Sequence, residues 1–274
     1  MKRKTSKFDY QRAALPRTRK VQFRDCFKMN YRLILKCGLM LLVFFSPMII
    51  FSLFADFFYV TLMSQSTEEI AQTQLLYNYL LNCGLIICSM VAIIGITGAL
   101  YVLRNFIWGE GIFFRSDFAI GIKQNYGKDA LFMVILCVLY ALSYFIYSLF
   151  PDAIVSLLPI FICALIFLPV YFWIILLNNL YKSKWTVLLR NGFYFYIKTI
   201  GWSLLGILMP LSLLGLLFIP FAFVWIKYIV LIVFIVFVLP IILLIMVLYS
   251  TSVFDNAINK DNYPDYYLRG LNHD

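Results

Sequence analysis

Apolar residues in this chain run in long unbroken blocks instead of alternating with polar ones. Six blocks stand out: about Leu33 to Phe54, Leu75 to Leu103, Ala130 to Phe150, Ile154 to Asn178, Thr199 to Val224 and Tyr228 to Ser250. Crossing a hydrocarbon core of about 30 Å takes roughly 20 apolar residues in a helix, which satisfies its own backbone hydrogen bonds. A transmembrane barrel would show short alternating strands instead. The pattern therefore predicts an all-α, polytopic membrane bundle of six transmembrane helices, with short interfacial helices on the cytoplasmic side. Only "PFAFVWIK" (Pro220 to Lys227) separates the last two blocks, so a tight hairpin at Pro220 is expected there. Residues 1–19 lack apolar periodicity and read as a flexible basic tail, 20–250 as the six-helix domain, and 251–274 as a cytoplasmic C-terminal tail broken at Pro264.

The polar intervals carry patterns of their own. In "TRKVQFRDCFKMNYR" a cationic stripe of Lys20, Arg24, Lys28 and Arg32 runs beside an aromatic stripe of Phe23, Phe27 and Tyr31, as in a helix lying among lipid headgroups. The segment fits surface anchoring and also a docking arm for a partner. Phe114, Phe118 and Ile122 form a one-sided stripe before the third block, and Trp185, Leu188 and Leu189 form another before the fifth. Both intervals then pass through Asn (Asn125, Asn191) and Lys (Lys128, Lys198), a faint internal echo. Pro47, Pro159, Pro169, Pro210 and Pro240 fall inside blocks, where each removes a backbone hydrogen bond and bends its helix. Such bends serve transport in some proteins and simple packing in others. Gly95 and Ala99 have the four-residue spacing that lets helices approach closely.

Composition agrees with lipid as the solvent: 63% of the 274 residues are hydrophobic and 13% charged. The charges are also unevenly placed. Of 23 Lys and Arg, 12 precede or begin the first block, 4 lie in the Arg104 interval, 4 in "YKSKWTVLLRNGFYFYIK" and 2 in the tail, leaving Lys227 alone on the opposite side. Positive residues are retained inside, so both termini are expected to be cytoplasmic in a multi-pass plasma-membrane protein. The net charge of +10 suits anionic headgroups, and nucleic acid is not an expected partner. Charge runs to Arg32 ahead of a full-length block, so the first block reads as a signal anchor, not a cleaved signal.

Chemistry that would mark an enzyme is missing from the pattern. The one histidine is His273, which leaves no histidine-based triad or general base. "GIKQNYGKD" (Gly121 to Asp129) has five residues between its glycines and Asp129 after its lysine, against the four residues and the Ser or Thr of a phosphate loop. "GEG" (Gly109 to Gly111) lacks the third glycine of a dinucleotide fingerprint and reads as a helix-ending turn. Glu110 and Asp117 are expected to form solvated ion pairs with the flanking Arg104 and Arg115. The six cysteines have neither CxxC spacing nor histidine partners, so no disulfide, metal or cofactor is expected. Charges inside blocks are few: Lys36, Asp56 and Lys227 lie near block ends and are expected to snorkel into the interface. Asn78 and Asn82 are candidate intramembrane polar residues, expected to hydrogen-bond between helices.

The interval "GALYVLRNFIWGEGIFFRSDFAIGIKQNYGKDAL" (Gly98 to Leu131) resembles the recurring segment of the YesL-like family, six-helix bacterial membrane proteins classed as a domain of unknown function. The matching positions are Gly98, Ala99, Leu103, Arg104, Gly109, Glu110, Asp117, Phe118, Gly121, Asn125 and Lys128. "NNLYKSKWTVLLRNGFYFYIKTIGWSLL" (Asn178 to Leu205) is similar to the family's second inside loop. The resemblance implies a bacterial integral membrane protein often encoded beside carbohydrate importers. With the enzyme motifs absent, the expectation is a non-enzymatic accessory of solute uptake, carbohydrate included, that meets a transporter component through its cytoplasmic loops. Phe118 and Ile122 would dock a partner or the membrane surface, with Phe23, Phe27, Phe114 and Trp185 as further docking or interfacial residues. Glu110 and Asp117 would cap and orient the loop. The chain lacks the Glu-Ala-Ala loop by which an ATP-driven permease engages its ATPase. A transporter or channel for a small neutral solute is the alternative.

Overall fold

The computed structural model describes residues 15–63, 70–150, 154–181, 183–214 and 224–272, with the side chains of 29, 59–63, 70–78, 208–214 and 224 excepted. Among these residues every regular element is helical. A short helix, α1 (Arg19–Met29), leads into α2 (Tyr31–Met63), α3 (Ile70–Ile107) and α4 (Phe114–Leu149). A fourth long helix runs over Ile154–Leu180 and a last one over Trp225–Asn262, separated by helices Trp185–Lys198 and Ile200–Leu214. Five of these helices are long and apolar enough to cross a membrane: Tyr31–Phe58, Tyr79–Ile107, Phe114–Leu149, Ile154–Leu180 and Trp225–Asn262. The chain is accordingly an integral membrane protein. The expected span from Thr199 to Val224 is helical over Ile200–Leu214, and residues 215–223, with the Pro220 turn, lie outside the described residues, as do residues 1–14 of the expected basic tail.

One boundary departs from expectation. The Phe114 to Asn125 stripe is not a separate interfacial helix but the first turns of the continuous α4. Its face is covered because α3 and α4 cross at small residues. Phe118 packs over Gly98, where an added Cβ would lie 2.7 Å from its ring, and Gly121 meets Tyr101, whose Cβ would lie 2.4 Å from the added atom. Phe118 also stacks on Phe44 of α2 at 5.9 Å and is buried. It therefore docks within its own chain and not on a partner or the membrane.

Two prolines produce the same local device. Pro169 and Pro240 each follow a π turn, Cys163–Phe167 and Phe234–Val238. A proline has no N–H for the carbonyl four residues back, and its ring crowds that carbonyl, so the wider turn relieves the contact. The freed carbonyls are Leu165 and Val236. Tyr196, on the neighbouring helix, donates its hydroxyl to Leu165 O at 2.8 Å. Val236 O instead faces Gly38 of α2, where an added Cβ would lie 1.9 Å from it. Tyr196→Phe should then leave the Leu165 carbonyl unmet in an apolar setting, at about 1–3 kcal/mol. Thermal unfolding of the purified full chain in detergent should show a lower Tm, and an unchanged Tm would count against this account.

At the end of the bundle away from α1, Asp56 and Lys227 do not snorkel outward. They form an ion pair at 2.6 Å whose side chains are 12% and 2% exposed. The Tyr228 hydroxyl donates to Asp56 Oδ2 at 2.7 Å and lies 3.0 Å from Ser52 Oγ.

Candidate functional site: a polar cavity at the end of α3

The other end of the bundle is knitted together by the first and last described segments. Arg19 donates to Asp255 at 3.0 Å and to the Arg269 carbonyl at 3.0 Å. Gln22 donates to the carbonyls of Ile107, at 2.5 Å, and Gly270, at 3.3 Å. Burial lowers the Arg19 pKa from its ordinary value, with the Asp255 carboxylate opposing the shift. It also pushes the Cys26 thiol up to about 12. Gly270 has φ +82 and lies so close to the end of α3 that a Cβ would come 2.0 Å from Ile107 O, so this contact requires glycine. The C-terminal segment is helical through Asn262, ahead of Pro264, and folded against α1 and α3, with Phe254, Asp255 and Leu271 buried.

This closure walls a polar cavity of about 530 Å³. One wall is the end of α3, which stops in a Schellman turn: Gly109 has φ +68 and donates to Phe106 O at 3.1 Å, and Glu110 N donates to Asn105 O at 3.0 Å. From here Tyr101, Arg104, Trp108 and Glu110 line the space. Arg104 lies 4.1 Å from the Tyr101 ring centre and 4.8 Å from that of Trp108. A second wall comes from the C-terminal segment, where Tyr266 stacks on Trp108 at 5.3 Å. Arg269 lies 4.6 Å from the Trp108 ring centre and pairs with Glu110 at 2.9 Å. Glu110 thus pairs across to the C-terminal segment, in place of the expected solvated pairing with Arg104 or Arg115.

The floor is built from amides. Asn178 and Asn179 end the fourth long helix, and Asn125 faces them from α4. Asn125 Nδ2 donates to Asn179 Oδ1 at 3.2 Å, while Asn178 Nδ2 donates to Asn125 O at 3.0 Å. Arg104 donates to the Asn179 carbonyl and, through Nη2, to Asn105 Oδ1 at 2.9 Å. Beneath this layer Asp129 is fully buried. Its carboxylate accepts from Thr97 at 2.7 Å and Asn178 at 2.8 Å, and Tyr171 donates to its backbone carbonyl at 3.1 Å. At the rim Tyr181 donates to Asn259 at 2.5 Å. Burial, with Asp255 nearby, raises the Tyr181 pKa well above its ordinary value, so it stays a neutral donor.

Of the residues singled out by the loop resemblance, Arg104, Glu110 and Asn125 line this cavity. Lys128 lies beside it, donating to the Ser183 carbonyl at 2.6 Å. Asp117 is buried and accepts from Phe113 N at 2.9 Å, closing the first turn of α4. Gly98, Gly109 and Gly121 shape the approach of the backbones. Of the docking candidates, Phe27 and Trp185 are exposed, while Phe23, Phe114 and Ile122 are half-buried and packed on the core. Asn82 accepts from Tyr140 at 2.7 Å, away from the cavity, and the Asn78 side chain lies outside the described residues. Asp129, Asn178, Asn179, Tyr181, Tyr266 and Arg269 were not among the sequence candidates. The signal for Asp129 is its place on the stripe Phe118, Gly121, Asn125, Asp129 at helical spacing. Compared with protein-family models, curated proteins and solved structures, the chain gave no match.

Proposed function

We propose that the protein is an accessory component of solute uptake that holds a small polar solute at the cytoplasmic end of its bundle, without catalysing a reaction. The observation that carries this is the cavity, whose volume of about 530 Å³ lies in the range of small-molecule sites. Its lining sets amides (Asn125, Asn178, Asn179) beside tyrosines (Tyr101, Tyr181, Tyr263, Tyr266), a polar surface that offers hydrogen bonds to a hydroxylated molecule such as a carbohydrate. Membership in the YesL-like family and a bacterial plasma membrane are part of the same proposal. The Gly98 to Leu131 residues support both, as the clustering of Lys and Arg supports cytoplasmic termini.

Isothermal titration of the full chain in detergent with a panel of hexoses and their acidic derivatives tests the cavity reading. Binding that weakens at least tenfold on Asn178→Leu, in a variant that still unfolds cooperatively, is the expected result. Absence of binding across the panel would sink it. The accessory role has its own readout, since a transporter component should co-purify from the native host. The alternative of a self-sufficient transporter draws on the two proline-linked π turns, and solute flux into liposomes holding this chain alone would favour it.

A further inference from the structure

Accepting that the cavity holds a solute, the charges around it narrow the kind. Two cations line it. Arg269 is paired with Glu110 at 2.9 Å. Arg104 forms no ion pair among the described residues, and its acceptors are the neutral oxygens of Asn105 and Asn179. A guanidinium carries five N–H groups. Nε and one hydrogen of Nη2 are directed at Asn105 Oδ1 and one hydrogen of Nη1 at Asn179 O, so one N–H on each terminal nitrogen is not committed to these two residues, with the neutral Tyr101 hydroxyl beside the group. The Tyr101 and Trp108 rings fix the plane of the group without cancelling its charge. Asp129 is screened from it by Asn178, which uses both amide hydrogens on Asp129 and the Asn125 carbonyl.

A partly buried cation facing a polar cavity without a carboxylate partner is costly until an anion completes the pair. Two N–H groups on adjacent terminal nitrogens of a planar fork match two oxygens of a phosphate or carboxylate. We propose that this cavity binds a small hydroxylated molecule carrying an oxyanion, with Arg104 receiving the oxyanion and Asn125, Asn178 and Asn179 the hydroxyl-bearing body. The oxyanion belongs either to a free solute or to the headgroup of an anionic lipid, since the cavity opens at an end of the bundle.

The test uses the full chain in phosphatidylcholine nanodiscs, titrated with glucose 6-phosphate, glucuronate and glucose. Either anion should bind more tightly than glucose by about tenfold to a hundredfold, the usual worth of a charge-assisted fork. Arg104→Gln should remove that preference, so that glucose and the anions bind alike, and Arg104→Lys should restore only part of it. A second arm replaces part of the lipid with phosphatidylglycerol. Loss of soluble-anion binding in those discs, with retained phosphatidylglycerol that Arg104→Gln releases, assigns the oxyanion to lipid and also upholds the proposal. Equal binding of glucose and the anions, or a preference that survives Arg104→Gln, overturns the anion inference and leaves the solute cavity standing. No binding of any probe in either arm removes both.

Discussion

Lys227→Met should cost about 3–5 kcal/mol of stability, because it strands the Asp56 carboxylate in a buried setting. The pair is tight at 2.6 Å and the lysine side chain is 2% exposed, so bulk water does not replace the lost partner. The Tyr228 hydroxyl continues to donate to Asp56 but supplies no charge. Asp56→Leu combined with Lys227→Met removes both charges and should recover most of the loss, since well-packed apolar residues often replace a buried ion pair at little cost. Unfolding the full chain by titration with a denaturing detergent measures both variants against the unaltered chain. If the double variant is no more stable than the single, the loss lies in packing and not in the stranded charge.

Gly38→Ala is the second large effect expected. The added Cβ would come 1.9 Å from Val236 O and 2.8 Å from Val236 C, both backbone atoms. No side chain can swing away, so α2 and the last long helix must separate where Pro240 has already opened the turn. Overpacking of this kind costs about 1–3 kcal/mol and sometimes more, and the rigid neighbour places this site at the upper end. Gly127→Ala is the control: it lies within α4 with no atom within 4 Å, and alanine there should be neutral or stabilise by up to about 1 kcal/mol. Equal stability of the two variants in thermal unfolding would overturn the contact.

The helical membrane class was legible because apolar run length is a local property that lipid enforces residue by residue. Asp56 and Lys227 were misplaced for the opposite reason. Each looks like an interfacial charge within its own window, and only the three-dimensional fold brings residues 171 positions apart into one buried pair. Asp129 was assigned to a loop by starting the third span at Ala130, whereas α4 runs unbroken from Phe114 to Leu149. Its carboxylate is tolerable there because Thr97 and Asn178, from two other helices, supply donors. The Gly109 turn was readable, since glycine after a helix is itself the signal. The cavity was not, because its lining comes from four separated stretches and its polar residues stand beside apolar ones in sequence.

The joining of Arg19 and Gln22 to Asp255, Arg269 and Gly270 also sets an order of events during biosynthesis. The residues that receive the last wall are made first, and Tyr263, Tyr266 and Arg269 leave the ribosome only after the long helices described here. The cavity is therefore absent from every shorter nascent chain, and its closure comes only once the whole bundle has been made.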